Sequence, residues 1–515
     1  MKPVSVKHEK ILPVPVISCA LGMALAYYTY PYFFSFLRSP LAGLYFLLGL
    51  LFLLIVAVCF LRVLRLFSGI NYLTVSKISI LAAALAVGFS LGIASRRSVP
   101  VSAELGLEAE KISALSGTLL EDPRTLQGGS GFGILKLRQS GAPGGIRASA
   151  RGNVMVFFPA ESIPRLKEFG RGSEIYVEGK LSQNERGFVF NASSVHIVKP
   201  ASALEQFRSS LRMKLLEKFQ RRQNSSYALS GPPLWGGLAS AMLLGMRDDL
   251  DVELSEGFRN TGCAHILALS GMHLAILCGI LAFLTRRPLG IRGASLVGAV
   301  FVIAYVFVAG SQPSLVRSAI MYLIGTISLW GFLKGKPLSL LCMAFIIQLI
   351  FQSETGVTLS FILSYLALAG ILTLGNAFHC LFRGRLPEII SGSLSASLGA
   401  FIITAPVVAL YFGSLKPIGI IAGLCIAPLS VLFMVLALGA LIAGFLPFPV
   451  WVFFDFVITM VYRFMEFLIS LGAQVPGLAI SNPAPVLISV FLLWIIVLFI
   501  GKLDYSRRNS VAALG

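Results

Sequence analysis

Charge is scarce in this chain. Asp, Glu, Lys and Arg make up 13% of its 515 residues, and the mean hydropathy is +0.84. Soluble globular domains carry about twice that charge, so composition places the chain among polytopic membrane proteins. Acids are scarcer than bases, and the formal net charge is +19. In a membrane protein such an excess means first Lys/Arg-rich cytoplasmic loops, and only second an anionic ligand. None of the seven cysteines lies in residues 104–199 and no pair has CxxC spacing. A zinc site and a disulfide framework are therefore not implied, and the thiols read as small buried hydrophobes. Walker, HExxH and dinucleotide-binding motifs are all missing, and Ser270 has no GxSxG elbow around it. No catalytic residue, metal site or cofactor is expected. Energy for any transport must come from a partner or a gradient.

What is present is a set of long apolar segments interrupted by one segment of another kind. Apolar runs lie near 13–36, 41–61 and 73–95, with Lys2, Lys7 and Lys10 before them and Arg62, Arg65 and Lys77 between the second and third. The first run reads as a signal anchor. The basic flanks put the N-terminus in the cytoplasm and the exit of the third run outside. Arg96 and Arg97 point the other way, but a long following domain is translocated regardless of such charges. From residue 234 a helix expected at 234–245 leads into a polar stretch, 246–262. Spans are then expected near 264–284, 294–310, 315–333, 338–352, 356–377, 389–412, 417–446 and 484–502. The groups Arg286/Arg287/Arg292, Lys334/Lys336 and Arg383/Arg385 fall at every second connection, the alternation expected of cytoplasmic loops. Gly423 and Pro428 suggest a broken or re-entrant helix in 417–446. Segment 450–472, with Asp455, Arg463 and Glu466, reads as an interfacial helix as readily as a span. The predicted organisation is N-terminal spans (1–103), a β-domain (104–199), a connecting helix (200–233) and a helical core (234–515).

Residues 104–199 alternate apolar and polar positions in short runs, such as NVMVFF (153–158) and EIYVEGKL (174–181), between Gly- and Pro-rich breaks. That is the pattern of a small antiparallel β-domain. A barrel of the oligonucleotide-binding (OB) type fits its length, though periodicity alone does not distinguish it from other small barrels. Lys136, Arg138, Arg147 and Arg151 form a run without acids, with Phe132, Phe157 and Phe158 nearby. Bases stack on aromatics and phosphates pair with cations, so single-stranded nucleic acid is one reading. A Phe core with a solvated basic face is the other, and the domain's net charge of only +2 favours it. GGSGFG (128–133) reads as a flexible turn. Residues 201–222 form an amphipathic helix, with Leu204, Phe207, Leu211, Leu215 and Phe219 at helical spacing. It suits the membrane surface, the barrel or the helical core equally.

The most informative stretch is Met242 to Ile276. Its polar part holds Arg247, Asp248, Asp249, Asp251, Glu253, Glu256 and Arg259, and runs straight into AHILALSGMH (264–273). The acids read as structural, in loop hydrogen bonds or in pairs with Arg247 and Arg259, with divalent-cation binding a lesser alternative. His265 and His273 lie eight apart, so on one helix they share a face, with Ser270 beside them. They either line a pathway or hydrogen-bond across a bundle. Polar side chains at membrane depth cost free energy, roughly 2.5–3.5 kcal/mol for a central charge, so they usually face a cavity. Arg317, just after GSQPS (310–314), either contacts phosphates or snorkels to the outer interface.

These residues resemble the ComEC family of competence proteins. The matching elements are LLG (243–245), FRNTG (258–262), AHILALSGMH (264–273), PSLVRSAIM (313–321), LSFILSYLALAG (359–370) and ITAPVVALYFGSL (403–415). The departures are Met246 for an acid, Ser318 for Ala and Gly423 for Asn. The resemblance implies a polytopic helical membrane protein with an inserted OB-like extracytoplasmic barrel. It implies an inner-membrane channel that passes single-stranded DNA into the cytoplasm during natural transformation, with His265, Ser270, His273, Arg317 and Arg259 on the path. Partners would be an extracytoplasmic DNA receptor or pilus and a cytoplasmic helicase-like ATPase. Many family members continue into a metallo-β-lactamase-like domain, whose metal motif is not in this sequence, so a separate nuclease or a single-stranded input is expected. A secondary transporter of a small anionic solute is the alternative reading, and a degenerate scaffold paralogue a third.

Overall fold

A computed structural model describes residues 14–34, 83–92, 105–126, 129–143, 145–184, 187–223, 235–331, 336–443, 448–482, 485–486, 488–490 and 492. The expected span at 41–61, the basic residues before and after the third run, Lys334, and most of the last span lie outside these residues. Two helices, α1 (Val14–Phe34) and α2 (Ala83–Gly92), precede the β-domain.

Strict alternation makes that domain a closed barrel. Its strands are β1 (Ala114–Leu119), β2 (Gly131–Gly141), β3 (Asn153–Phe158), β4 (Glu174–Asn184) and β5 (Gly187–Lys199). They close in the ring order β1-β4-β5-β3-β2-β1, with β3 parallel to β5 and every other pair antiparallel. Helix α3 (Ile163–Phe169) sits between β3 and β4. This is the OB arrangement. Opposite Ser116/Gly117 and Glu178/Gly179 the register shifts by one residue, so Arg138 and Ser193 are bulged and bend β2 and β5 around the ring. Inward positions, among them Leu115, Leu135, Val156, Ile175, Val177 and Phe190, form a separate core. The expected turn at 128–133 is shorter than its glycines suggest, since β2 already begins at Gly131.

Helix α4 (Ala203–Gln223) packs between the barrel and the helical core. Leu216 and Phe219 enter the helical core. Arg208, only 1% exposed, turns to Asp122 of the barrel. Of the apolar stripe, Leu204 and Phe207 remain exposed. After it come α5 (Trp235–Leu244), α6 (Val252–Asn260) and the single turn α7 (Ala264–Leu267).

Helix α8 (Gly271–Ala309) is a hairpin of two arms. A straight helix of 39 residues would separate its ends by about 58 Å. Instead Leu274 and Cys278 share a cluster with Val302 and Ala309, and Ser314 Oγ donates to Leu269 O at 2.6 Å. The reversal is at Gly290, whose φ of 67° is open to glycine and disfavoured for other residues, two positions after Pro288. The two spans expected at 264–284 and 294–310 are these arms.

The remaining helices are α9 (Pro313–Leu329), α10 (Pro337–Phe351), α11 (Leu359–Gly370), α12 (Asn376–Phe382), α13 (Glu388–Phe412), α14 (Ile418–Ala443) and α15 (Phe448–Ala473). A π-turn, Ile371–Gly375, joins α11 to α12. Helix α14 is continuous through Gly423 and Pro428, so the expected break is absent. It packs against α13 and α15, and such neighbours let a proline be tolerated within a span. Helix α15 is not a surface helix. Ile458, Tyr462, Met465 and Ile469 are buried in the helical core, and residues 453–473 are apolar and long enough to span. Outward side chains such as Phe283, Phe351 and Ile389 form an exposed apolar belt. Five helices among the described residues are long and apolar enough to cross a membrane, and the chain is a multi-pass membrane protein.

The basic connections gather at one end of the bundle. Arg292, at the α8 tip, lies 5.9 Å from the Trp330 ring at the end of α9. The barrel sits at the opposite end, where Asp248 accepts from Thr125 N (2.9 Å) and Lys167 Nζ (2.8 Å). Asp248 of the acidic cluster thus joins the core to the barrel, pairing with Lys167 rather than with Arg247 or Arg259. With basic loops inside, the barrel is expected outside. A membrane-impermeant thiol reagent on intact cells should modify Ser182→Cys and spare Arg286→Cys. The reverse pattern would invert the topology.

Candidate functional site

The stretch AHILALSGMH is not one helix. Helix α7 ends at Leu267, and Ala268 (ψ 136°) and Ser270 (ψ 171°) are extended. The shared helical face expected for His265 and His273 is therefore lost. Ser270 instead caps α8. Its backbone N–H donates to His273 Nδ1 at 3.0 Å, and its hydroxyl lies 3.0 Å from the same nitrogen. Since Nδ1 accepts, the neutral ring carries its proton on Nε2, which is buried and has no partner among the described residues. His265 keeps exposed surface, whereas His273 has none.

Arg317 does not snorkel. It is 8% exposed and reaches sideways, donating through Nη1 to Ser364 O, with its guanidinium 5.8 Å from the Tyr365 ring. Nη2 lies 3.5 Å from Ser318 Oγ, and Nε has no partner among the described residues. Tyr365 OH donates to Gln348 Oε1 (2.8 Å), and Gln348 Nε2 donates to Pro313 O (3.1 Å). Gly271 faces this group so closely that a Cβ there would lie 2.5 Å from Ser318 Oγ and 3.3 Å from Arg317 Nη2. Three separate motifs, SGMH, PSLVRS and LSFILSYLALAG, thus meet in one polar cluster. Among the described residues no carboxylate pairs with Arg317.

Arg259 stands apart, exposed on the last turn of α6. Sequence reasoning missed Lys416. It is the one charged residue between Ile389 and Leu446, a signal that was available. It is half-buried at the barrel end of the bundle, against Gly262 and Gly477. At the junction, partial desolvation and then the neighbouring Arg124 press the Arg247 guanidinium below its usual value.

The barrel residues fall into two groups. Phe132 and Phe157 are cross-strand partners on the outer face of β2 and β3, with ring centroids 6.1 Å apart, and Lys136 is exposed on the same face. Arg124 lies 6.0 Å from the Phe132 ring. Phe158 is not on this face. It is 1% exposed and belongs to the barrel core, because its neighbour Phe157 points outward and alternation sends it in. Arg138 is held by Glu174 at 2.9 Å. Arg147 lines a separate groove that also carries Glu174 and Glu178. Arg151 is exposed just before β3.

The sequence profile of a family described as "Competence protein" matches residues 242–504. The chain belongs to the competence protein family. Its matched region contains the whole polar cluster and leaves the barrel outside. The chain is similar to ComE operon protein 3 of Bacillus subtilis (strain 168), with 28% identity over 283 residues, which is 52% of this chain and 34% of that protein. It is also similar to an uncharacterized protein of Aquifex aeolicus (strain VF5), with 26% identity over 54% of this chain and 62% of the relative. A third relative is the uncharacterized protein YcaI of Escherichia coli (strain K12), with 26% identity over 38% of this chain and 28% of that protein. The chain therefore spans less than two thirds of the length of each of these relatives.

Proposed function

We propose that this competence-family protein is a channel of the cytoplasmic membrane that passes single-stranded DNA inward during natural transformation. The observation that carries the reading is the polar cluster. A buried cation without an acidic partner sits where three family motifs converge in the bundle. A polyanion passing through the bundle supplies the missing counter-charge. The path begins on the outer β2–β3 face of the barrel, which is the face on which OB folds bind oligonucleotides. There Phe132 and Phe157 offer stacking surface, and Lys136 and Arg124 offer charge. It continues past Arg247 at the junction, with His265, Lys416 and Arg259 at the mouth. An extracytoplasmic DNA receptor or pilus delivers the strand, a helicase-like ATPase draws it in, and a nuclease removes its complement. Deleting the gene and restoring it in a transformable host tests this. Transformants should vanish and return, and undiminished transformation after deletion would end the proposal.

One observation favours the solute-transporter alternative. The break between α7 and α8 is the kind of discontinuity on which transporters build substrate sites. The barrel separates the two readings, since a small solute has no use for a stacking face. Produced as residues 105–199, it should bind oligo(dT) weakly. With Arg124, Lys136 and Arg151 as contacts, the salt slope should be about −2, from roughly −0.7 per contact. Phe157→Ala should cost about 1–3 kcal/mol if one base stacks there. Fluorescence anisotropy across a salt series reads both, and a barrel that binds no oligonucleotide at low salt favours the solute.

A further inference from the structure

A helix that starts inside a bundle presents free backbone amides and the positive end of its dipole. The first arm of α8 starts this way at Gly271, because the chain before it is extended. Among the described residues the amides of Gly271 and Met272 have no acceptor. A second feature is independent of the helix. The Arg317 guanidinium comes from α9, is more than nine-tenths buried, lies against Gly271, and keeps an unpartnered Nε–H. His273, in the same first turn, adds a buried Nε2–H with no acceptor. Each of these orphan groups is a donor, and one is a full cation. A metal ion would meet a guanidinium and N–H donors here, with the Ser318 hydroxyl as the one oxygen named beside them and no carboxylate among the described residues. A tetrahedral oxyanion would meet the set it requires.

We propose that the break before α8 is an oxyanion site, in which the Gly271 and Met272 amides and the Arg317 guanidinium hold one phosphate group. As an oxyanion site it stands independently of what is transported. As a contact for a DNA backbone phosphate it rests on the channel reading. Ser270 acts as a positioning residue, since its cap on His273 Nδ1 fixes where the helix starts.

The test uses the full chain, purified in a maltoside detergent without phosphate. Thermal unfolding is followed in sodium phosphate and in sodium chloride at matched ionic strength. Phosphate should raise the midpoint by several degrees over chloride, in a saturable way. Arg317→Gln should lose that difference, and Arg317→Lys should keep part of it. Equal midpoints in phosphate and chloride overturn the site, as does a full phosphate response in Arg317→Gln. Should Arg317→Gln fail to accumulate, the wild-type and Arg317→Lys comparisons still decide. Added oligo(dT) should compete with phosphate. A phosphate response that oligo(dT) leaves untouched keeps the oxyanion site and removes the DNA reading. A response to phosphatidylglycerol without one to inorganic phosphate assigns the cation to the lipid headgroup layer and overturns the enclosed site.

Discussion

Asp122→Ala should loosen the barrel from the helical core and lower stability by about 3 kcal/mol. Asp122 lies after β1. Its Oδ2 receives Arg208 and, at 2.8 Å, Arg212, while Oδ1 accepts the backbone N–H of Arg171 at 3.1 Å. Arg208 is almost wholly buried, and Glu205 at 3.0 Å is its other partner. Arg212 also reaches Leu244 O, at the end of α5. One carboxylate therefore ties barrel, connecting helix and core. Removing it leaves two desolvated guanidinium groups sharing too little negative charge. Loss of one partner from a buried pair costs about 3–5 kcal/mol. Asp122 keeps a quarter of its side-chain surface, so the loss should fall near the low end, about 3 kcal/mol after solvent screening. Asp122→Asn retains an acceptor for Arg171 N and should lose less. Thermal unfolding of the purified protein, with limited proteolysis between barrel and core, measures both. A midpoint for Asp122→Ala equal to wild type would mean that the second tie, Asp248 to Lys167 and Thr125, carries the junction alone.

That junction was not legible in the sequence. Its partners lie 86, 90 and 81 positions apart in the pairs Asp122–Arg208, Asp122–Arg212 and Lys167–Asp248. Nothing local marks a buried pair of that separation. Arg138 shows the same limit, since its partner Glu174 comes from two strands later in the ring. Local rules did better. Alternation over 153–158 and 174–181 gives β3 and β4, and the alternating basic connections give the end of the bundle away from the barrel. The same alternation places Phe158 inside, and the clustering of phenylalanines in sequence hid this. The helix break had a local signal too. Ser270, three residues before His273, has the spacing of a reciprocal helix cap, while the apolar pattern on both sides argued for continuity. At Pro428 the error ran the other way. A proline and a glycine argued for a break, yet α14 runs whole, packed against α13 and α15.

Arg317→Gln should abolish DNA uptake and leave the protein as stable as before. The two halves of that expectation separate a functional cation from a structural one. A buried guanidinium without a carboxylate costs several kcal/mol in desolvation. Arg317 recovers part of that from one charged hydrogen bond to Ser364 O, worth about 1.5–3 kcal/mol, and from the Tyr365 ring, about 0.5–2 kcal/mol. These terms nearly cancel, so Gln at this position leaves the unfolding midpoint unchanged or higher, the opposite of Asp122→Ala. On the proposed channel reading, a passing phosphate then loses its cationic partner. Truncating one side of a buried charge pair costs roughly 2–5 kcal/mol, about 30-fold to several-thousand-fold at a single site. On that reading, a polymer would meet the site once for every phosphate that passes. His273→Ala and Ser270→Leu should also abolish uptake, because each releases the cap that sets the start of α8. Arg317→Lys should retain part of it, since a point charge replaces the fork. Transformant counts, read beside membrane accumulation by immunoblot, decide the matter. Wild-type counts in Arg317→Gln, or a midpoint that falls as far as that of Asp122→Ala, would make Arg317 a strut between α9 and α11 and return the cluster to bundle packing.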